Sequence, residues 1–372
     1  MSFLTFLGTG ILLFFIWLRA YAYFAPTMGG IPKGKRLQRI QNSPNFSNGI
    51  FTNPTPTDLK MPPLIFTKLM WQWLITNSGR KPRQPLPNLP LDLEKIKNHN
   101  GSKALICWLG HSSLLMKFHG KTFLIDPVFG DRVSMFSFFG PKRFKYNHDY
   151  CPTQLPEIDA VIFTHDHYDH LDYSLIPFLR KKVTQFIAPL GVGAHLEKWG
   201  VSSEMIVEKD WGETFQFDEN ITFTCEPTRH FAGRGFVKRF TSLWCSWVVK
   251  GTDQQLYLGA DSGYYEGFKA IGEKHGAFDL TILECGAYSE FWSAIHMMPE
   301  ETAQAHLDLN GKALLPIHWA KYDLSIHHWK EPIVRLAKKT REKDIQLLTP
   351  QIGETFIVNE EYPASSWWEN VE

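Results

Sequence analysis

The sequence predicts an α+β fold in which two sheets are covered by helices around one long core. Three observations carry this. Strand-like alternation starts at residue 104 and gives three closely spaced strands, at 104–109, 114–118 and 122–125, joined by turns holding Gly110 and Gly120. A second group of strand signals follows at 214–217, 221–225, 243–249, 255–258 and 280–283. Helical patterns lie among them, and no internal repeat interrupts the single run.

Between the two groups, 160–163 is a short apolar strand, 173–181 and 192–199 read as helices, and 186–188 is a strand. After the second group, 299–309 reads as a helix, with Pro299 in its first turn and Glu300 and Glu301 near the positive end of its dipole. A strand at 313–317 and a basic-ended helix at 329–341 complete the body, residues 104–372. Ahead of it, residues 26–103 are punctuated by Pro, Gly and Asn and read as an extended arm packing on the body, with one aromatic helix candidate at 66–75.

Residues 1–25 are different. No charged side chain occurs from Met1 to Leu18, and the apolar run reads as a helix that anchors the chain in a membrane. A cleaved signal peptide would need basic residues ahead of the apolar core, and there are none, although Ala20-Tyr21-Ala22 passes as a small-residue cleavage site. A helix packed on the body is the other reading. Positive charge lies on the C-terminal side only, at Arg19, Lys33, Lys35, Arg36 and Arg39, which places the body on the cytoplasmic side of a single anchor.

Composition narrows the function. The 372 residues carry 39 Lys and Arg against 38 Asp and Glu, so no basic face for nucleic acid is expected. Aromatics at 14% exclude global disorder. Five scattered cysteines without CxxC spacing suit neither a disulfide framework nor a cysteine-based zinc site.

The 15 histidines decide the chemistry, because several are clustered. Thr164-His165-Asp166-His167-Tyr168-Asp169-His170 directly follows the apolar strand at 160–163. A turn there can aim His165 and His167 together while Asp169 and His170 face a second position. Imidazoles and a carboxylate are the ligands that borderline ions such as Zn²⁺ prefer. At this chain's His and Asp frequencies the pattern arises by chance in about one chain per thousand.

H-x-H-x-D-H after an apolar strand resembles the metallo-β-lactamase superfamily. The resemblance, from about residue 104 onward, implies a four-layer αβ/βα sandwich with a binuclear centre at one sheet edge. It also implies three further ligands, each following a strand: His230 in Pro227-Thr228-Arg229-His230, Asp261 in Gly259-Ala260-Asp261-Ser262-Gly263, and His318 after Leu314-Leu315-Pro316-Ile317. One ion would sit on His165, His167 and His230, the other on Asp169, His170 and His318, with Asp261 bridging them. The implied cofactor is two Zn²⁺, with Mn²⁺ or Fe²⁺ as alternatives, and the implied reaction is hydrolysis by a hydroxide held between the ions. Asp126 and His111 end early strands, where they would support ligands.

Gly286-Ala287-Tyr288, Trp292, His296-Met297-Met298-Pro299-Glu300-Glu301-Thr302 and Pro316-Ile317-His318-Trp319 resemble, within that superfamily, the branch of phospholipases D that hydrolyse N-acyl-phosphatidylethanolamine. The branch implies a membrane phospholipid substrate, cleaved to phosphatidic acid and an N-acylethanolamine. His296 matches its extra pocket histidine and joins Asp261 and Asp169 as a catalytic candidate. Tyr168, Tyr288, Trp292 and Met297 are the other expected substrate contacts. Phe231, Phe236, Phe240, Phe291 and Met298 are candidates to line an acyl-chain groove. Arg229, Arg234, Lys238 and Arg239 surround the His230 loop, where they would either attract anionic phosphate or form a solvated charged surface. Ser289-Glu290-Phe291 departs from the basic, Pro-containing stretch of the branch, which leaves headgroup contacts open. A lactonase or esterase of a small anionic substrate, a membrane protein with a non-catalytic metal site, and a homo-oligomeric state also stay open at this level.

Overall fold

A computed structural model describes the chain except residues 1–2, 60–61, 76–78 and 236–238; the contacts expected of Phe236 and Lys238 therefore lie outside the described residues. The chain begins with helices α1 (Phe3–Phe24) and α2 (Gly34–Gln41), the hairpin strands β1 (Phe46–Ser47) and β2 (Ile50–Phe51), and helices α3 (Pro63–Ile75) and α4 (Leu93–Asn98). The body continues with β3 (Leu105–Trp108), β4 (Leu114–Phe118), β5 (Lys121–Ile125), β6 (Ala160–Ile162), α5 (Ile176–Leu179), β7 (Gln185–Pro189), α6 (Gly193–Lys198) and β8 (Ile206–Lys209). It ends with β9 (Thr214–Gln216), β10 (Thr222–Glu226), β11 (Ser246–Lys250), β12 (Gln255–Leu258), α7 (Gly267–His275), β13 (Leu280–Glu284), α8 (Pro299–Asp308), β14 (Ala313–Ile317), α9 (Glu331–Glu342), β15 (Gln346–Leu347) and β16 (Thr355–Ile357).

Strands β3 to β16 form two seven-stranded mixed sheets, in the orders β16-β3-β4-β5-β6-β7-β8 and β15-β14-β13-β12-β11-β10-β9. Period-two alternation explains how they stack. On β4, Leu114, Met116 and Phe118 enter the core shared by the sheets, and Leu115 points the other way, into a second core. On β5 and β6 the same split separates Phe123, Ile125 and Ile162 from Leu124 and Val161. The shared core also takes Phe223, Trp247 and Ile282 from the other sheet, while α5 and α6 cover the second core through Leu179 and Leu196. On the far side, Phe268 of α7, Ala303 of α8 and Leu336 of α9 cover the other sheet. The result is the helix–sheet–sheet–helix sandwich, with both faces of each sheet buried.

The ends of the chain differ from the sequence reading. Residues 26–103 carry α2, a β-hairpin, α3 and α4 and are not merely extended. The expected membrane-spanning helix is corrected: among the described residues no helix is long and apolar enough to cross a membrane. Helix α1 is fixed to the body at its C-terminal end, where the Trp17 ring stacks 6.2 Å from Phe136 and Tyr21 Oη donates to the Met135 carbonyl at 2.9 Å. Helix α7 was not expected, because Gly267 and Gly272 weaken its local signal. Gly272 is required there, since a Cβ would lie 2.2 Å from the Asp308 carbonyl at the end of α8.

Candidate metal centre

In both sheets the strands that carry functional residues run the same way and end at one edge. Trp108, Ile125 and Ile162 end β3, β5 and β6, and Glu226, Leu258, Glu284 and Ile317 end β10, β12, β13 and β14. The segments that follow bring His111, Asp126, His165 to His170, His230, Asp261 and His318 together. Backbone hydrogen bonds clasp the two sheets there, from His318 N to His111 O at 3.0 Å and from His111 N to Trp319 O at 3.1 Å. His111, Asp126 and His318 all hold positive φ, at 54°, 39° and 66°. Non-glycine residues in this region cost of order 1–3 kcal/mol each and gather where surrounding structure enforces them.

Asp261 Oδ2 is the geometric centre of the cluster. It lies 3.0 Å from His318 Nε2, 3.2 Å from His170 Nε2, 3.7 Å from His230 Nε2 and 3.8 Å from His165 Nε2. His167 Nδ1 is 2.9 Å from His165 Nε2 and 3.2 Å from His230 Nε2. On the other side Asp169 Oδ2 is 3.4 Å from His318 Nε2 and 3.7 Å from His170 Nε2. Ligands at 2.0–2.1 Å around a tetrahedral ion stand about 3.3 Å apart, so these separations fit. The groups divide into His165, His167, His230 and Asp261 on one side and His111, Asp169, His170 and His318 on the other. Asp261 Oδ1, His170 Nε2 and His318 Nε2 are buried without a well-aligned hydrogen bond, which is the signature expected of ligand atoms.

Electrostatics agree with the donor chemistry at His165, His230 and Asp261. At His170 and His318 burial is outweighed by the neighbouring carboxylates, which raise those two rings and hold protons where ions would otherwise compensate the charge. Burial, together with neighbouring imidazoles, holds His165 and His230 well below the ordinary histidine range, so both offer neutral nitrogens. Burial alone would raise Asp261, but the His170 and His318 imidazoles hold its carboxyl well below the usual range. Burial acts to lower His318, yet Asp261 and Asp169 raise it to about 10.

Three supports orient the ligands. Asp126 accepts from Thr164 N at 2.9 Å, Thr164 Oγ1 at 2.6 Å and His170 Nδ1 at 2.8 Å. His230 Nδ1 donates to the Ile295 carbonyl at 2.9 Å. His111 Nε2 donates to Asp169 Oδ2 at 2.9 Å. Such partners fix ring orientation and tautomer.

A family model for the β-lactamase superfamily domain matches residues 121–319. The chain belongs to this superfamily. An uncharacterized protein of Mycobacterium tuberculosis is 36% identical over 369 residues, with 97% of each chain covered. N-acyl-phosphatidylethanolamine-hydrolyzing phospholipase D 1 of Caenorhabditis elegans is 33% identical over 276 residues, covering 69% of this chain and 76% of its own. Among solved structures, the metallo hydrolase Igni18 of Ignicoccus hospitalis has a TM-score of 0.53 at 17% identity, over 70% of this chain and 100% of its own; it speaks for the fold alone. The protein is thus a metallo-β-lactamase-fold hydrolase related to those phospholipases, and the fold implies divalent metal at the His/Asp groups.

In this superfamily member the metal edge opens into a cavity of about 430 Å³, with His167, Asp169, His230, Asp261 and His318 on its floor and His296, Phe231, Phe291, Trp292 and Arg239 on its walls. A second cavity of about 510 Å³ shares Asp58, Leu59 and Arg239 with the first and continues past Phe51, Phe240 and Trp244. Of the expected substrate contacts, His296 and Trp292 line the first cavity. Tyr168, Tyr288 and Met297 line neither. Tyr168 Oη instead donates to the Arg234 carbonyl at 2.7 Å, and the Arg234 guanidinium covers its ring at 4.1 Å. Tyr288 Oη donates to Glu331 at 2.7 Å and its ring stacks on His327. Met297 is fully buried in the core. Arg234, expected on a charged surface, is also buried.

Sequence reasoning missed Glu284. It is fully buried, accepts from Ser262 N at 3.1 Å and Met297 N at 2.9 Å through Oε1, and accepts from His296 Nδ1 at 2.6 Å through Oε2. A signal existed: a lone carboxylate closing the apolar strand Leu280–Glu284, as Asp126 follows β5. It lies in a group with Asp261, His296 and His318, but both its oxygens are filled by protein donors, unlike Asp261 Oδ1. Asn53, outside the matched region, donates to the His230 carbonyl at 2.8 Å and accepts from His230 N at 3.0 Å; nothing local in the sequence marks it.

Proposed function

We propose that the protein is a membrane-associated phosphodiesterase that hydrolyses N-acyl-phosphatidylethanolamine-like phospholipids to phosphatidic acid and an N-acylethanolamine. The observation that carries this reading is the pair of joined cavities. One has the His/Asp cluster as its floor, and the other continues past the apolar side chains of Ile50, Phe51, Phe240 and Trp244 on a partly polar wall. Arg239, the one Lys or Arg lining either cavity among the described residues, stands at their junction with Asp58 and Leu59. A diacyl phosphodiester needs this combination of metal edge, phosphate ligand and apolar run, whereas a small polar lactone has no use for the second cavity.

His165, His167, His230, Asp169, His170, His318 and Asp261 would hold two Zn²⁺, which would supply Lewis acidity and lower the pKa of water. The chain's own groups do the rest. Arg239 lies with its guanidinium 4.8 Å from the Phe231 ring and 5.3 Å from Phe240, so its fork is held over an apolar wall and binds a phosphate oxygen. Phe231, Phe291 and Trp292 exclude water from the reacting phosphate. His296, when protonated on both ring nitrogens, keeps its Nδ1–H on Glu284 and delivers the Nε2 proton to the departing N-acylethanolamine oxygen, returning to the neutral ring. Helix α1, largely exposed and free of charge as far as Leu18, supplies the contact with lipid.

Metal analysis and hydrolysis of N-acyl-phosphatidylethanolamine vesicles, for wild type and Asp261→Asn, test the reading. Wild type should carry two equivalents of metal and release phosphatidic acid, and Asp261→Asn should lose metal and at least 10²-fold in rate. A wild type that cleaves small esters or lactones while releasing no phosphatidic acid would refute the substrate assignment.

A further inference from the structure

Residues 26–53 precede the matched superfamily region, yet they touch the loops that carry the metal ligands at two independent places. The first is Asn53. One side-chain amide satisfies both backbone polar groups of His230, and Asn53 Oδ1 also receives the Trp244 indole N–H at 3.2 Å. The amide is itself fixed from behind: Phe51 N donates to the Phe240 carbonyl at 2.8 Å, and Phe51 is buried against the cluster of Trp244, Leu243 and Ala232.

The second place is Arg234. Its guanidinium is buried and donates from Nε to the Thr27 carbonyl at 2.8 Å and from Nη1 to the carbonyls of Asp166 at 2.7 Å and Leu171 at 2.8 Å. Asp166 and Leu171 bracket His167, Asp169 and His170, so one planar fork closes the ligand loop and ties it to Thr27. The partner segment is pinned in turn, by Trp199 Nε1 to the Pro26 carbonyl at 2.7 Å and by Lys198 Nζ to the Gly29 carbonyl at 3.0 Å. It lies so close to α6 that a Cβ on Gly30 would stand 1.9 Å from the Ala194 carbonyl. A buried guanidinium is costly unless its donors are filled, and here backbone carbonyls of both segments take three of its five.

We propose that the N-terminal arm is part of the metal centre's scaffold, with Asn53 and Arg234 as positioning residues that hold the His165–His170 loop and His230 at ligand distance. This rests on the reading of the His/Asp cluster as a metal centre. Neither residue is a metal ligand: Asn53, which also lines the second cavity, acts through the backbone of the ligand His230, and Arg234 acts through the carbonyls of Asp166 and Leu171 that flank the ligand loop.

The test is zinc affinity of the full-length protein in detergent, by competition with a chromophoric chelator, together with the visible spectrum of the cobalt-substituted protein. The variants are Asn53→Asp, Arg234→Gln, Arg234→Lys and Gly30→Ala. Asn53→Asp and Arg234→Gln both make the neighbourhood more negative, which by charge alone would tighten a cation. Lost positioning should instead weaken zinc 10- to 100-fold and shift the cobalt bands. Arg234→Lys keeps the charge but cannot fork to three carbonyls, so it should not restore affinity. Gly30→Ala alters no residue of the ligand loops and lifts the arm alone; it should weaken zinc in the same direction and carries the test where an Arg234 variant does not fold. Folded variants with wild-type affinity and spectrum, or with tighter zinc, would overturn the proposal. A wild type that takes up no zinc would overturn the metal-centre reading itself, and is seen before any variant is compared.

Discussion

Glu284 shows how a single side chain can set a proton's position without facing the substrate. Its Oε2 takes the His296 Nδ1 proton at 2.6 Å, which leaves Nε2 as the atom available to the cavity. Glu284→Gln keeps the shape and the two backbone bonds to Oε1, but turns an NH₂ toward Nδ1, so the doubly protonated ring that donates from Nε2 loses both its acceptor and its counter-charge. The expected outcome is kcat lower by about 10²-fold or more, with KM and zinc content close to wild type, measured by steady-state release of N-acylethanolamine beside metal analysis. An unchanged kcat would remove His296 from proton transfer. At this scale legibility depended on sequence distance. The His165 to His170 cluster is read at sight because its spacing alone aims the ligands. The Glu284–His296 pair and the Asn53–His230 pair exist only after folding, 12 and 177 residues apart. Tyr168 misled for the same reason: its place inside the motif says nothing of the Arg234 guanidinium that covers it.

Among elements, helix α8 shows how burial writes a pH dependence into the fold. Its start was readable from Pro299 and the acidic first turn, and Met298 N indeed donates to Glu301 Oε2 at 2.8 Å. Its inner face carries His306, buried against β13, where Nδ1 and Thr281 Oγ1 share a hydrogen bond of 2.7 Å. Burial lowers His306 to about 4, against about 6.5 in the unfolded chain. Between those values the unfolded chain binds the extra proton, so stability falls as pH falls through this window. From pH 7 to pH 5 His306 alone should cost about 2 kcal/mol. Urea unfolding of chelator-treated protein checks this: His306→Asn should flatten the pH slope relative to wild type by that amount, and equal slopes would show that His306 is not the group titrating. Short apolar runs bounded by turn or polar residues, such as β4, β12 and β14, have the boundaries their sequences predict. Helix α7 and the short edge strands β8, β15 and β16 do not, because their pairing and packing are decided by neighbours and not by their own propensities.

For the molecule as a whole, the +1 net charge offers no long-range field to draw it to an anionic surface. On the proposed function, attachment to lipid would therefore rest on apolar contact, and the apolar groups are at hand. Phe14 and Phe15 of α1 are 55% and 59% exposed, and Phe138 and Phe139, near the Phe136 ring that meets Trp17, are exposed as well. Removing an exposed Phe ring from water gives up to about 3 kcal/mol when burial is complete, so half-burial of two rings is enough to decide partition. The double variant Phe14→Ser/Phe15→Ser should bind neutral phosphatidylcholine vesicles at least tenfold more weakly in flotation, while wild-type binding should persist at 0.5 M salt. Turnover of a short-chain substrate below its micelle concentration should be unchanged, because neither ring is among the residues lining the metal cavity. Flotation of the double variant at the wild-type level would exclude α1 as the lipid contact. A wild type that stays in solution as a discrete oligomer by light scattering, and dissociates on the same substitutions, would assign the exposed apolar face to a second copy of the chain instead. The two outcomes differ because a bilayer accepts α1 from any concentration of protein, whereas self-association weakens on dilution.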